Sequence, residues 1–219
     1  MTASCFKDLS ERIDAFCRSD LYPVVSSEYC NGRDVFDVLC QIAEGGAKIV
    51  QIREKHWEKR DIYDLAVRFR PVANHYGMLL IIDDHLDVAM AANADGVHCG
   101  QKDLPVSVVR KTASQLLTGC STHNPEEILQ ACSDGAGYLN IGPVFATRTK
   151  QVSYPPVTLE NLEKWKNIST IPFSVMGGIK EHHLPEFCRM GIRHIAMVTE
   201  ITQAEKITEK VQVLRRYIL

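Results

Sequence analysis

The sequence lacks the features that mark membrane proteins, secreted proteins and nucleic-acid binders. It contains no apolar run that approaches the length of a membrane span, and its first residues, MTASCFKDLSERIDAF, alternate charges where a signal peptide has an apolar core. The net charge is only −2 and the pI is about 6.4, whereas proteins that bind nucleic acids or membrane surfaces are usually basic. We therefore expect a cytosolic protein with neither a nucleic-acid nor a membrane partner.

Metal-binding cysteine motifs are also missing. The chain has 8 cysteines, but no CxxC pair and no close grouping of cysteine with histidine, so the spacing of a zinc site is absent. Most of these cysteines stand among apolar residues, where a free thiol packs as a small hydrophobic group. We interpret them as reduced thiols.

The sequence does contain eight short apolar runs with helical patterns between them. In the intervening segments apolar residues recur every three or four positions, which is the helical period. Continuous apolar strands that alternate with helices predict a parallel sheet covered on both faces. Eight such units favour a single (β/α)8 TIM barrel over residues 1–219, with an extra helix, Leu9–Cys17, before the first strand; an open doubly wound sheet is the alternative. The runs begin at Leu21, Lys48, Met78, Gly96, Leu116, Tyr138, Phe173 and His194.

Cations follow the second predicted strand, at the end where barrel enzymes carry their chemistry. Arg53 and Lys55 lie two residues apart, so in an extended chain both point to the same face. One interpretation is that both side chains pair with acidic residues at the surface. The other is that they bind a phosphate group, which suits their position at a strand end opposite glycine turns.

Two aspartates would end neighbouring strands. Asp84 follows the third strand and Asp103 follows the fourth. Either one alone would serve equally well as a turn or capping residue. As a pair beside phosphate-binding cations they predict a Mg²⁺ site, because two carboxylates with water and phosphate oxygens complete an octahedral shell.

A second anion-binding area is predicted at the last two strands. Gly177–Gly178 follows the seventh strand and Val198–Thr199 the eighth, where barrels often hold a phosphate, although an ordinary tight turn would also use the glycine pair. The stretch GPVFATRTK, residues 142–150, leaves an apolar strand and ends in hydroxyls and cations. It either holds an anion or is a solvated turn. Together the two areas fit a diphosphate and a separate monophosphate.

Histidines give weaker signals. His98 lies inside an apolar strand, which favours a core histidine. His123 follows a strand end and is either a general acid or base or a cap of the next helix. His182 and His183 form a surface pair, and we expect no metal there.

Seven stretches that together span most of the chain form a recognisable series: QIREK (51–55), IIDDHLDVA (81–89), ADGVHCGQKDLP (94–105), GCSTHNPEE (119–127), YLNIGPVFATRTK (138–150), MGGI (176–179) and IAMVTEI (195–201). In sequence and in order they resemble the thiamine phosphate synthases and the related thiazole tautomerases of the same superfamily.

The resemblance implies a Mg²⁺-dependent transferase with small phosphorylated substrates, which joins hydroxymethylpyrimidine diphosphate to hydroxyethylthiazole phosphate and releases pyrophosphate. It implies catalytic roles for Arg53, Lys55, Ser121 and Lys150. The implied pyrimidine-diphosphate site comprises Gln51, Arg53, Lys55, Asp83, Ser121 and Lys150, and the implied metal ligands are Asp84 and Asp103. The implied thiazole-phosphate site comprises Thr147, Thr149, Gly177, Gly178, Val198 and Thr199.

The chain departs from the family pattern at four positions. Asp83 stands where the family usually has asparagine. An ionised carboxylate there accepts hydrogen bonds but repels a diphosphate; the alternatives are that Asp83 joins the metal shell or is neutral. His85 replaces the usual arginine, Thr158 a common glycine and Thr199 the usual serine; we expect the last change to be harmless because the contact there is through the backbone.

Two other functions remain open from the sequence. A thiazole tautomerase would move a proton with His123 and would need neither a metal nor a diphosphate site. A non-catalytic paralogue that binds a thiamine precursor is the third alternative, supported by Asp83 alone. The sequence leaves the oligomeric state undetermined, with a homo-oligomer among the alternatives.

Overall fold

The architecture is a closed barrel of eight parallel strands. The computed structural model describes residues 2–147, 149 and 154–219. Each strand pairs with the next one along the chain, and the eighth pairs with the first, with Leu21 opposite Ile195. The predicted (β/α)8 barrel is confirmed. The strands are β1 (Leu21–Val25), β2 (Ile49–Ile52), β3 (Leu79–Asp83), β4 (Gly96–Cys99), β5 (Leu117–Thr122), β6 (Tyr138–Ile141), β7 (Phe173–Val175) and β8 (Ile195–Met197).

Helices surround the barrel, and the predicted helix before the first strand is present. Asn124 caps α6 by accepting a hydrogen bond from the backbone N–H of Glu127 at 2.8 Å, with Pro125 at the first helical position. The helices are α1 (Leu9–Cys17), α2 (Val35–Glu44), α3 (Lys59–His75), α4 (Leu86–Ala91), α5 (Val106–Thr112), α6 (Pro125–Ser133), α7 (Leu159–Trp165), α8 (Leu184–Arg189), α9 (Thr199–Thr202) and α10 (Ile207–Ile218).

Helix α1 closes the N-terminal end of the barrel. Its Phe16 is fully buried, stacks on Tyr138 with ring centroids 4.4 Å apart and meets Tyr22 edge-on at 6.4 Å. Tyr22 is the second residue of β1 and Tyr138 the first of β6; both point inward, and their hydroxyl oxygens lie 2.8 Å apart. Side chains therefore fill the interior of the barrel at the N-terminal ends of the strands.

One glycine makes this packing work. A Cβ at Gly119 would lie 2.2 Å from Cζ of Tyr138, a distance that no side chain tolerates. The large ring lies across the place where a β5 side chain would project. The remaining space inside the barrel is left at the opposite end, where the strands finish.

Among the described residues, no helix has the length and apolar character needed to cross a membrane.

Candidate active site

A cavity of about 360 Å³ opens at the C-terminal ends of the strands. Its volume falls in the range of small-molecule sites, roughly 300–1,000 Å³. All the site residues predicted from the sequence line it except Lys150, which lies outside the described residues together with Arg148. Those that line it are Gln51, Arg53, Lys55, Asp83, Asp84, Asp103, Ser121, Thr147, Thr149, Gly177, Gly178, Val198 and Thr199.

The end of β2 directs its cations into the cavity by strand alternation. Gln51, Arg53 and Lys55 all line the cavity, as their spacing of two predicts. Glu54 turns to the other side, where its carboxylate accepts hydrogen bonds from the backbone N–H of Ser27 at 2.6 Å and from its hydroxyl at 2.7 Å. These contacts fix the direction of the segment as it leaves the sheet.

Asp83 pairs with the two cations. Its carboxylate lies 2.6 Å from Nζ of Lys55 and 3.6 Å from Nε of Arg53. Burial raises the pKa of Asp83, although the charge of Lys55 works in the opposite direction. Burial acts to lower the pKa of Lys55, but Asp83 and Asp84 outweigh it and leave that pKa raised. Arg53 and Lys55 thus both face carboxylates of the same chain.

Asp84 and Asp103 meet, as expected for the ends of neighbouring strands. Asp84 has a left-handed backbone, with φ of 60°, which aspartate adopts more readily than most residues. Burial acts to raise its pKa, but hydrogen bonds from Lys55 and Asp103 outweigh it and leave the pKa lowered. The pKa of Asp103 is raised by burial and by its hydrogen bond with Asp84. Two carboxylates in contact are a place where a cation relieves repulsion.

The donor set at these two residues suits Mg²⁺ with substrate oxygens in its shell. The described part of the chain has no group of three or more histidine, cysteine, aspartate or glutamate side chains arranged for a metal. Mg²⁺ is commonly held by one or two carboxylates together with phosphate oxygens and water. Asp84 and Asp103 meet that requirement.

Ser121 belongs to a hydrogen-bonded chain that runs down into the barrel. Its hydroxyl lies 2.9 Å from Nε2 of His98, whose Nδ1 lies 3.1 Å from the hydroxyl of Tyr138. That tyrosine contacts Tyr22, which in turn accepts a hydrogen bond from the amide of Gln51 at 2.9 Å. His98 is buried, as the sequence predicts, and it also lines the cavity. The chain therefore ties two predicted pyrimidine-site residues to the packed core.

His123 occupies a position compatible with both of its predicted roles. Its ring Nδ1 and its backbone N–H both contact one carboxylate oxygen of Glu127, at 2.7 and 2.8 Å. Glu127 lies in the first turn of α6. The ring stacks on Tyr154, with centroids 4.1 Å apart, and lines the cavity.

The glycine pair after β7 is required by the loop that follows β6. Gly177 and Gly178 have φ of 99° and 64°. A Cβ at Gly178 would lie 2.5 Å from the carbonyl oxygen of Ala146, and one at Gly177 would lie 2.4 Å from Cβ of Pro143. The loop consequently packs against the glycines, and it brings Thr147 to the cavity. The Thr147 and Thr149 hydroxyl oxygens lie 2.9 Å apart.

Two departures from the family pattern have structural explanations. Thr158 has an extended backbone, with φ of −61°, and its hydroxyl accepts from the backbone N–H of Asn161 at 3.2 Å, which caps α7. His85 lies outside the cavity, beside Lys59 and Asp87 in a separate surface depression. Neither residue contributes to the lining of the cavity.

Sequence reasoning missed several lining or supporting residues. Tyr22 and Tyr138 look like ordinary core residues, and only the barrel register shows that their hydroxyls meet. Asn140 and Lys180 also line the cavity. The sequence signal for Lys180 was its position two residues after the glycine pair, whereas the position of Asn140 opposite Ser121 required the register of β5 and β6.

The family is decided by comparison with known proteins. The family model described as thiamine monophosphate synthase matches residues 21–201. The chain belongs to the thiamine monophosphate synthase family. The matched segment runs from the first residue of β1 into the short helix after β8, so it contains all eight strands.

Curated relatives and a solved structure agree. The chain is 41% identical over 208 residues to a thiamine-phosphate synthase of Pelotomaculum thermopropionicum, covering 94% of this chain and 95% of the relative. It is 37% identical over 205 residues to one of Caldicellulosiruptor saccharolyticus, covering 93% of each. A thiamine phosphate pyrophosphorylase from Pyrococcus furiosus has a TM-score of 0.84 and 31% identity, covering 91% of this chain and 95% of that chain.

Proposed function

We propose that this chain is a thiamine phosphate synthase. It condenses hydroxymethylpyrimidine diphosphate with hydroxyethylthiazole phosphate, and it releases thiamine phosphate and pyrophosphate. The observation that carries the proposal is the single cavity, which brings the paired cations of β2, the aspartates after β3 and β4, and the glycine and threonine wall together in a chain of this family.

The charged side chains at the ends of β2, β3 and β4 are suited to one step, the departure of the diphosphate. Negative charge accumulates on the leaving group, and fixed positive groups lower the energy of that state. Arg53 and Lys55 are positioned to supply them once they exchange Asp83 and Asp84 for phosphate oxygens. Mg²⁺ held by Asp84 and Asp103 would neutralise further charge on the diphosphate. We propose that turnover depends on this metal.

The remaining task is to hold two substrates in line. Displacement of the diphosphate by the thiazole nitrogen transfers the pyrimidine methylene from oxygen to nitrogen, and it needs no protein nucleophile. Ser121 is held by His98 at 2.9 Å, so its hydroxyl is fixed for a contact with the pyrimidine. Positioning of this kind contributes a large part of many rate accelerations.

A thiazole tautomerase is the second candidate, favoured by the His123–Glu127 contact of 2.7 Å at the cavity. A carboxylate that holds a histidine ring is a common arrangement for proton transfer. The tautomerase has no use for the paired cations of β2 or for the two aspartates, and for that reason the synthase is preferred.

The deciding experiment is thiamine phosphate formation from the two purified substrates, first with Mg²⁺ and then with excess EDTA. Metal-dependent product is the expected result. Absence of product from folded protein that binds the thiazole phosphate would overturn the proposal. The thiazole carboxylate phosphate would then be tested as substrate, and turnover of it would identify the tautomerase, whereas its absence would favour a non-catalytic binding protein.

A further inference from the structure

Lys180 lines the cavity beside the predicted thiazole-phosphate site. It lies two residues after Gly178, and its side chain is 44% exposed. Its ammonium donates to the hydroxyl of Thr199 at 3.4 Å and lies 3.2 Å from a carboxylate oxygen of Glu200. The amine is thus held next to Thr199, where an anion between β7 and β8 would sit.

The side of the cavity formed by the ends of β7 and β8 has no other positively charged side chain among the described residues. Four lysine or arginine side chains line the cavity in the described part of the chain, and three of them, Arg53, Lys55 and Lys102, follow β2 and β4. Lys180 alone comes from the side of β7 and β8. A phosphate monoester carries between one and two negative charges at neutral pH, so a cation within reach strengthens its binding.

The contacts of Lys180 leave it able to turn to a ligand. Glu200 also pairs with Lys210, and that contact is closer, at 2.6 Å. Lys210 in turn lies 2.7 Å from Glu181. When Lys180 moves from Glu200 towards a phosphate oxygen, Glu200 keeps a cation. An ammonium has three donors, so its bond to Thr199 can persist.

We propose that Lys180 binds the phosphate of the thiazole substrate and makes the site prefer the phosphorylated compound over the free alcohol. This inference rests on the proposed synthase function for the identity of the ligand. It assigns substrate selection on this wall to a side chain, in addition to the backbone of the glycine and threonine positions.

The test compares Lys180→Gln with the wild-type protein in steady-state kinetics and calorimetry. We expect the KM for hydroxyethylthiazole phosphate to rise roughly five- to twentyfold, as for loss of a charged hydrogen bond that is partly exposed. The KM for the pyrimidine diphosphate and kcat at saturation should stay within about twofold. Affinity for the unphosphorylated thiazole alcohol should not change, and Lys180→Arg should restore most of the lost affinity.

Lys210→Gln is the matched control. It removes the same charge from the same Glu200 network, but Lys210 does not line the cavity. Its KM for the thiazole phosphate should rise by no more than about threefold, because Lys180 stays at the cavity although Glu200 has lost its other cation. If Lys210→Gln reproduced the effect of Lys180→Gln, the ion-pair network and not a phosphate contact would be responsible. Unchanged KM in Lys180→Gln, or an equal rise for both substrates, would also overturn the proposal.

Failure of the function and failure of this inference give different results. If wild-type protein forms no thiamine phosphate, the synthase proposal fails, yet calorimetry with the thiazole phosphate still measures the role of Lys180. Selective loss of phosphate affinity in Lys180→Gln would support the binding role without turnover. Equal binding by wild type and variant would remove it.

Discussion

The two walls of the cavity present their binding groups in different ways. The wall formed at the ends of β2, β3 and β4 consists of ionised side chains that already pair with each other, with Lys55 between Asp83 and Asp84. The wall at β7 and β8 consists largely of backbone held by glycine packing against the loop from Pro143 to Ala146. The first wall must exchange partners before it binds an anion, whereas the shape of the second is fixed by the fold. Binding at the first should therefore depend on charge and metal, and binding at the second on backbone geometry.

Asp84→Ala is expected to have the largest effect. If Asp84 holds Mg²⁺ as proposed, its loss removes stabilisation worth several kcal/mol, so Mg²⁺-dependent kcat/KM should fall on the order of 100-fold or more. Asp87→Ala is the control, because Asp87 is close in sequence but exposed and paired only with Lys59 among the described residues; it should keep nearly full activity. Retained activity in Asp84→Ala would remove Asp84 from the metal site.

Gly178→Ala tests the backbone wall. The added Cβ meets the carbonyl oxygen of Ala146 at 2.5 Å and requires φ of +64°, so the loop must shift. We expect the KM for the thiazole phosphate to rise about tenfold, with a stability loss of about 1–3 kcal/mol from the left-handed backbone. Gly191→Ala separates the two effects, because Gly191 has φ of +74° with nothing within 4 Å. It should lose stability without a change in KM, and an equal change in both variants would contradict the loop explanation.

Asp83→Asn tests whether the paired carboxylate weakens the charged wall. The amide cannot neutralise Lys55, so activity should be equal or improved, with the KM for the pyrimidine diphosphate lowered by up to about fivefold, the range of one partly exposed ion pair. A large loss of activity would instead give Asp83 a function of its own.

The effect of Asp83→Asn on the free energy of unfolding should also depend on pH. The pKa of Asp83 is raised above its ordinary value of 3.8, chiefly by burial, so between the unfolded and the folded pKa the folded protein holds a proton that the unfolded chain releases. The stabilising contribution of the protonated group is present at low pH and is lost as pH rises through the folded pKa. The free energy of unfolding of Asp83→Asn relative to that of the wild type should therefore be lowest near pH 4 and should increase towards neutral pH. If denaturation curves recorded at several pH values gave the same difference in free energy of unfolding between variant and wild type, burial would not be the cause of the raised pKa.

Thr199→Ser should have the smallest effect. Serine keeps the hydroxyl that accepts from Lys180, and the backbone at this position is unaltered. The KM for the thiazole phosphate should stay within about twofold. A larger change would show that the threonine methyl group contributes to the site.

Strand and helix positions followed from the sequence alone. The eight runs became β1–β8 because continuous apolar segments must be covered on both faces, and the helical spacing between them supplies that cover. Strand alternation also placed Arg53 and Lys55 on one face. The meeting of Asp84 and Asp103 followed because both end adjacent parallel strands.

Other features required the folded chain. The pairing of Asp83 with Lys55 depends on side-chain distances across two strands. The proximity of Tyr22 and Tyr138 depends on barrel closure and on the space left at Gly119. His98 shows the difference well: its apolar strand predicts burial, but only the tertiary structure places its ring against Ser121 at the cavity.

The sequence by itself determined the order of the elements, the shared face of Arg53 and Lys55 and the residue types at the strand ends, because these depend on local periodicity. The tertiary structure decided which charges neutralise each other and where the cavity lies. It also gave Lys180 its place beside Thr199. Those outcomes arise from contacts between residues far apart in the chain, which only closure of the barrel brings together.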